Sequence, residues 1–191
     1  MNSKVNLNTK AGDWQQFLNQ FEHQIYVQTK AYGDFYKNTG DDFQIVTVQQ
    51  KGKIVLGAVT FIVIAKRGNF IYLPYGPLVS KQAKYADFKL FLDSLSQLKN
   101  KYAVNFIRIS PFYTKQDSIY KWFKKAGLIK APMHMIAEDC WFLKLDQPPE
   151  LLLKGMRQNH RNLIKRAHRQ GVTIVKSQDV KDVRVLSDLL N

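Results

Sequence analysis

The chain has 191 residues, with 29 Lys+Arg against 15 Asp+Glu for a net charge of +14, and 45% of its residues are hydrophobic and 13% aromatic. That apolar content excludes intrinsic disorder, and the single Cys140 excludes a scaffold of intrachain disulfides. The excess of cations calls for a polyanionic partner, whether nucleic acid, anionic lipid or a phosphorylated ligand.

In chain order, Asp13 is the expected N-cap of a first helix, Trp14 to Phe21, where Trp14, Phe17, Leu18 and Phe21 recur at helical spacing. After a break at Ile25 to Val27, Tyr32, Phe35 and Tyr36 mark a second helix, which Gly40-Asp41-Asp42 ends. Phe43 to Gln49 alternates as a strand does, and Lys51-Gly52-Lys53 turns it into Ile54 to Ala65. This run is apolar on both faces, as a central strand requires. Arg67-Gly68-Asn69 makes the next turn, Phe70 to Leu73 a third strand, and Pro74-Tyr75-Gly76-Pro77 a rigid corner. Strand and helix then alternate: a helix over Tyr85 to Leu98, a buried strand over Val104 to Ile109, and a helix over Ser118 to Ala126 with Gly127 at its C′ position. A strand is expected over Ile136 to Leu145. Pro148-Pro149 launches a long helix, about Glu150 to Gln170, closed by Gly171. Val172 to Lys176 reads as a strand and Val183 to Leu190 as the start of a further helix.

The order implies a mixed α/β domain with a largely antiparallel sheet over residues 1–146, a connector helix over 147–171, and the start of a second unit over 172–191. The N-terminal stretch lacks the apolar core of a signal peptide, and the longest apolar run is about half the roughly 20 residues needed to span a bilayer. With a lone cysteine, these features read as cytoplasmic.

The connector helix carries the strongest local signal. Lys154, Arg157, Arg161, Lys165, Arg166 and Arg169 occur there with no acid between them. At about 100° per residue, Lys154, Arg157, Arg161, Lys165 and His168 fall in a stripe roughly 80° wide. Leu153, Met156, Leu163, Ile164 and Ala167 gather opposite, as a face that packs on the body of the protein. Like charges four residues apart repel by a few tenths of a kcal/mol per pair, so something anionic should answer the stripe. Guanidinium forks at this spacing suit bidentate contacts to phosphate oxygens. A solvated helix face, nucleic acid and an anionic membrane surface are the competing readings, and the helix has no aromatic residues for stacking bases.

Met156-Arg157-Gln158-Asn159-His160-Arg161-Asn162-Leu163-Ile164-Lys165-Arg166-Ala167, followed by Arg169-Gln170-Gly171-Val172, resembles the signature helix of the FemABX peptidyltransferases. Three other stretches fit the same family in order. Val27-Gln28 leading to Tyr32-Gly33-Asp34-Phe35 is similar to its F-x-Q-x-x-x-W-(A/G)-x-(F/V) stretch, with Tyr32 where Trp is usual. Tyr72-Leu73-Pro74-Tyr75-Gly76-Pro77 is similar to its Y-x-P-x-G-P turn, and Phe106-Ile107-Arg108-Ile109 with Pro111 to its R-(I/V)-x-P element.

The resemblance implies a GNAT-like domain, two of which stand in tandem in the family. It implies transfer of an amino acid from aminoacyl-tRNA to an amine of lipid II or of its UDP-linked muropeptide. It implies that Lys37, Arg157, Arg161 and Lys165 hold the pyrophosphate and uridine part, and that the turn at Tyr75 and Gly76 lines the substrate pocket. Family members run to about twice this length, so a fragment or truncated form with a missing second half is expected. A peripheral position at the inner membrane surface is compatible with such a substrate.

An aminoacyl ester is already activated, so an aligned neutral amine can attack it without a nucleophile triad. Gln49-Gln50-Lys51-Gly52-Lys53-Ile54 imitates the pyrophosphate loop of coenzyme A-dependent acetyltransferases. It falls in a hairpin with no helix N-terminus to receive phosphate, so coenzyme A is not expected. His134, Asp139 and Cys140 lack a recognisable metal-ligand spacing, so no metal is expected, and no catalytic residue stands out. His160 and His168 read as polar-face residues of the connector helix. Residues 151–191 carry nine Lys+Arg against three Asp+Glu, a net +6, which places the densest charge in this tail.

Overall fold

The computed structural model describes residues 3–23, 25–66, 68–114 and 117–190. Its contacts divide the chain into two units, Met1–Asp139 and Cys140–Asn191; the boundary expected from sequence was near Asp146.

Unit 1 is built on a six-stranded sheet. Strand β1 (Ser3–Asn6) precedes helices α1 (Ala11–Leu18) and α2 (Lys30–Asn38), which a short 3-10 turn, Tyr26–Gln28, separates. β2 (Asp42–Gln50), β3 (Lys53–Val63) and β4 (Phe70–Pro74) form the expected meander, and β5 (Leu78–Val79) returns to β3. Helix α3 (Tyr85–Lys101) crosses over to β6 (Phe106–Ser110), and α4 (Ser118–Lys125) follows. The order is β1-β2-β3-β4-β6, all antiparallel except the parallel β4–β6 pair, with β3 central as its two apolar faces require.

Side chains alternate between two cores. Val46, Val48, Leu56, Ala58, Ile71 and Leu73 meet Phe88, Phe91 and Leu95 of α3. Ile45, Val59 and Phe61 meet Trp14, Phe17 and Leu18 of α1 on the other face. Gly57 permits the close approach of α1, because a Cβ there would lie 2.9 Å from Trp14 Cζ3 and 2.8 Å from the Val46 carbonyl oxygen.

Several boundaries differ from the sequence expectation. α1 starts at Ala11 with Lys10 as N-cap, so Asp13 sits in the first turn, where its charge complements the helix dipole. β6 is half-exposed rather than buried, because it lies at the end of the sheet order. Arg67 of the expected turn lies outside the described residues; its neighbour Gly68 has φ +125°. The stretch 136–145 is no strand. Side chains hold the backbone at and before its start instead of a ladder: Tyr75 Oη donates to the Ala137 carbonyl and the Arg108 guanidinium to the Met133 carbonyl.

Unit 2 contains three helices, α5 (Pro149–Gly155), α6 (Gln158–Arg169) and α7 (Asp182–Leu190). The expected continuous connector is broken. Met156 and Arg157 are extended, with ψ of 151° and 146°. Arg161 Nη1 donates to the carbonyls of Lys154 (3.0 Å) and Met156 (2.6 Å), satisfying acceptors freed where α5 ends. Val172 to Lys176 is irregular, since the described residues of this unit include no strand for it to pair with. The apolar side chains Leu163 and Ile164, expected to pack on the body, are exposed.

Candidate substrate-binding site

Three of the four motif stretches converge at the far end of β4. Gln28 closes the 3-10 turn and is fully buried. Its Nε2 donates to the Pro74 carbonyl (2.5 Å), its Oε1 accepts from the Val59 amide (2.8 Å), and its own carbonyl accepts from Trp14 Nε1 (2.6 Å). β4 pairs with β3 only from Phe61 to Val63, and β5 pairs with it only at Leu56 and Gly57. The Gln28 amide bridges the gap between, where β4 has left β3 and buried backbone groups would otherwise lack partners.

The corner that follows is tightly determined. Tyr75 adopts φ +50°, and the Gly76–Pro77 peptide is cis. Gly76 is buried against the clamp: a Cβ there would lie 3.1 Å from Ala58 Cβ and 3.2 Å from Gln28 Nε2. The Tyr75 ring packs edge-on against Phe112, with centroids 5.3 Å apart, and its hydroxyl donates to Ala137 O at 2.8 Å.

Near the corner, three tyrosines have hydroxyls that burial holds in the neutral form, and one of them, Tyr72, lies beside Arg108. Tyr72 stands opposite Arg108, and Pro74 opposite Ser110, in the parallel β4–β6 register. The Tyr72 hydroxyl is buried near Ser110 and Arg108 without a hydrogen bond of ordinary geometry. Burial raises its pKa, and Ser110 and Arg108 only partly oppose that. Tyr32 is raised too, first by burial and then by its 3.4 Å contact to Tyr36 Oη. Burial pushes Tyr113 up to about 12, although the Val79 N–H donating to its oxygen at 3.0 Å pulls the other way. Burial thus keeps these three phenols protonated, which disfavours a role in abstracting protons.

The residues singled out from sequence fall into both units. Tyr75 and Gly76 sit together at the corner, and Lys37 is exposed in the last turn of α2. Arg157 caps α6, with Arg161 and Lys165 one and two turns further along the same face; Arg157 and Lys165 are exposed and Arg161 is half-buried. Lys165 joins Asn162, Arg166 and Arg169 around one shallow hollow, and Lys154, Arg161 and Glu150 around another. Arg161 already spends one nitrogen on carbonyls of its own chain, leaving the rest of its fork for a ligand.

Sequence reasoning did not place Gln28, Tyr72, Arg108 or Ser110 in the site, although three of them stand in its motif stretches. His134 Nδ1 contacts Glu138 Oε1 at 2.8 Å. The stretch imitating a pyrophosphate loop is a tight β2–β3 hairpin, with Lys51 and Gly52 at φ +49° and +78°. Among the described residues no His, Cys, Asp or Glu cluster could hold a metal, and no helix is long and apolar enough to cross a membrane.

Solved structures define the class. Ribosomal-protein-alanine N-acetyltransferase from Brucella melitensis biovar Abortus 2308 superposes with a TM-score of 0.51 at 12% identity, covering 72% of this chain and 98% of that one. AAC(6′)-Iy, in complex with the bisubstrate analog CoA-S-monomethyl-acetylneamine, gives 0.53 at 10% identity, covering 73% and 100%. The chain thus has a mixed α/β fold of the GNAT acetyltransferase type.

The family is narrower. The crystal structure of FemX superposes with a TM-score of 0.73 at 16% identity, covering 99% of this chain and 48% of that one, so the chain spans about half that protein's length. The sequence pattern of the FemAB family matches residues 9–190, and the chain belongs to that family. No curated protein matches the sequence.

Proposed function

We propose that this chain serves an aminoacyltransferase of peptidoglycan synthesis. The reaction moves an amino acid from aminoacyl-tRNA to an amine of lipid II or of the UDP-linked muropeptide stem, forming an interpeptide bridge. The observation that carries the reading is membership of the FemAB family over residues 9–190.

In this reading Lys37, Arg157, Arg161 and Lys165 hold the pyrophosphate and uridine part of the acceptor. The corner at Tyr75 and Gly76, fixed from below by Gln28, shapes the pocket wall. The acceptor amine attacks the ester carbonyl carbon, the C–N bond forms, the ester C–O bond breaks, and the amine's proton ends on the ribose hydroxyl. Because the ester is already activated, positioning and stabilisation of the carbonyl oxygen suffice, with no resident metal and no coenzyme A. The protonated phenols and the Arg108 guanidinium near the corner are compatible with this reading, since none of them competes for the amine's proton.

The test is titration of the UDP-linked muropeptide into the protein. Each charge-assisted hydrogen bond lost is worth about 1.5–3 kcal/mol. Arg157→Ala combined with Arg161→Ala should therefore weaken binding at least about a hundredfold. Unchanged affinity would remove α6 from the site.

A further inference from the structure

Along the sequence, the positive charge of unit 1 is densest over residues 81–130. Residues 81–130 hold eleven Lys+Arg against three Asp, a net +8, whereas the first 80 hold eight against five. These fifty residues contain α3 and α4, which share the core face opposite α1. Of the three acids, Asp87 is buried and accepts from Ser3 Oγ and Gln50 Nε2. Asp117 accepts from the Thr114 amide and hydroxyl, which leaves Asp93 as the acid on the outer side of α3.

A fixed contact joins the cations of the two helices. Lys125 Nζ lies 4.4 Å from the centroid of the Tyr85 ring, which brings the end of α4 to the start of α3. Lys121 is one turn before Lys125, while Lys84 and Lys89 flank Tyr85. Lys121, Lys124 and Lys125 are all exposed.

An aliphatic tip stands among these lysines. Gly127, at φ +73°, reverses the chain, and the Leu128 amide bonds back to the Phe123 carbonyl at 3.1 Å. That turn ties Leu128, 39% exposed, to the last turn of α4 and leaves the next residue, Ile129, 93% exposed. Lys130 follows at once and is also exposed. Phosphate-backbone binding asks for cations alone, whereas a bilayer surface rewards apolar groups projecting among cations.

We infer that the α3–α4 side of unit 1 docks on an anionic bilayer, with Leu128 and Ile129 entering the acyl boundary and Lys121, Lys124, Lys125 and Lys130 meeting lipid headgroups. The surface belongs to unit 1, and the inference does not depend on the transfer reaction proposed above. Vesicle experiments test it, using phosphatidylcholine with one quarter phosphatidylglycerol, and phosphatidylcholine alone.

The whole chain should co-sediment with the anionic vesicles and not with the neutral ones. Lys121→Glu with Lys125→Glu should weaken this binding at least about tenfold. Leu128→Ser with Ile129→Ser should abolish the part that survives high salt, because screening spares apolar insertion. Trp fluorescence of the Ile129→Trp protein should shift to the blue on adding anionic vesicles by more than that of the unsubstituted chain. Arg157→Ala with Arg161→Ala should leave vesicle binding intact. Lys121, Lys125, Leu128 and Ile129 are exposed, and an unchanged thermal transition confirms that each variant folds.

Equal vesicle binding by both α4 variants would overturn the inference. So would loss of binding to a generic RNA in the lysine variant without loss of vesicle binding, which would make this side a nucleic-acid surface. A dimer that Ile129→Ser dissociates, with vesicle binding unaltered, would also overturn it and assign the tip to a second copy of the chain.

Discussion

Asp87 shows how much one buried carboxylate organises. It accepts from Ser3 Oγ at 2.6 Å, Gln50 Nε2 at 2.8 Å and the Lys84 amide at 2.7 Å, tying β1, β2 and the start of α3 to one point. Burial works against its charge, but these hydrogen bonds more than offset that and hold its pKa below the ordinary 3.8. A carboxyl lowered on folding stabilises the fold fully above its unfolded value and loses that contribution as the pH falls through the folded one. Asp87→Leu should therefore reduce the urea midpoint at pH 7. The gap from the unsubstituted chain should narrow once the pH is taken below 3.8, and a gap independent of pH would contradict the assignment.

Gln28 teaches a different lesson at the same scale. The stretch containing it was visible in sequence, but its partners Val59 and Pro74 lie 31 and 46 residues away. No local pattern predicts a side-chain amide standing in for strand pairing, because the need for it arises only when β4 leaves β3. Tyr72 and Arg108 were legible as motif letters for the same reason, and became neighbours only through the parallel register of β4 and β6.

Among the elements, the long amphipathic or doubly apolar ones were readable. α2, β2, β3, β4, α3 and α4 fall close to their expected places, since period and turn residues agree there. β1 and β5 were not, because four and two residues carry no period to read. The stretch 136–145 misled in the opposite direction: it carries an apolar run, Cys140 to Leu143, but such a run forms a strand only when a partner edge takes its backbone groups. The connector helix misled because its sequence is helical throughout, while Gly155 and the capping by Arg161 decide where it breaks.

The packing of α1 on β3 gives the prediction proper to this scale. Gly57→Ala places a methyl within 2.7 Å of Thr47 Cγ2 and 2.8 Å of a backbone oxygen that cannot yield easily. It should cost roughly 1–3 kcal/mol in urea denaturation, as overpacked cores do. A neutral effect would mean that Trp14 does not sit down on the sheet at this position.

For the whole molecule, the net charge of +14 has two concentrations rather than one. The basic helix of unit 2 offers guanidinium forks at regular spacing, suited to phosphate. The α3–α4 side of unit 1 offers lysines around an aliphatic tip, suited to a lipid surface. Composition alone could not separate them, because charge density along the chain does not say which face a helix buries or where a turn leaves Ile129. If the acceptor is the lipid-linked one proposed above, it would present a phosphate and a membrane together and so join the two.

The central claim is that this chain recognises a nucleotide-linked muropeptide rather than coenzyme A. Calorimetric titration of the UDP-linked muropeptide, UDP, the stem peptide without nucleotide, and coenzyme A into the same protein tests it most directly. The account predicts saturable, salt-sensitive binding of the UDP-linked muropeptide, competition by UDP, and no comparable binding of coenzyme A. Binding of coenzyme A with none of the UDP-linked muropeptide would contradict it.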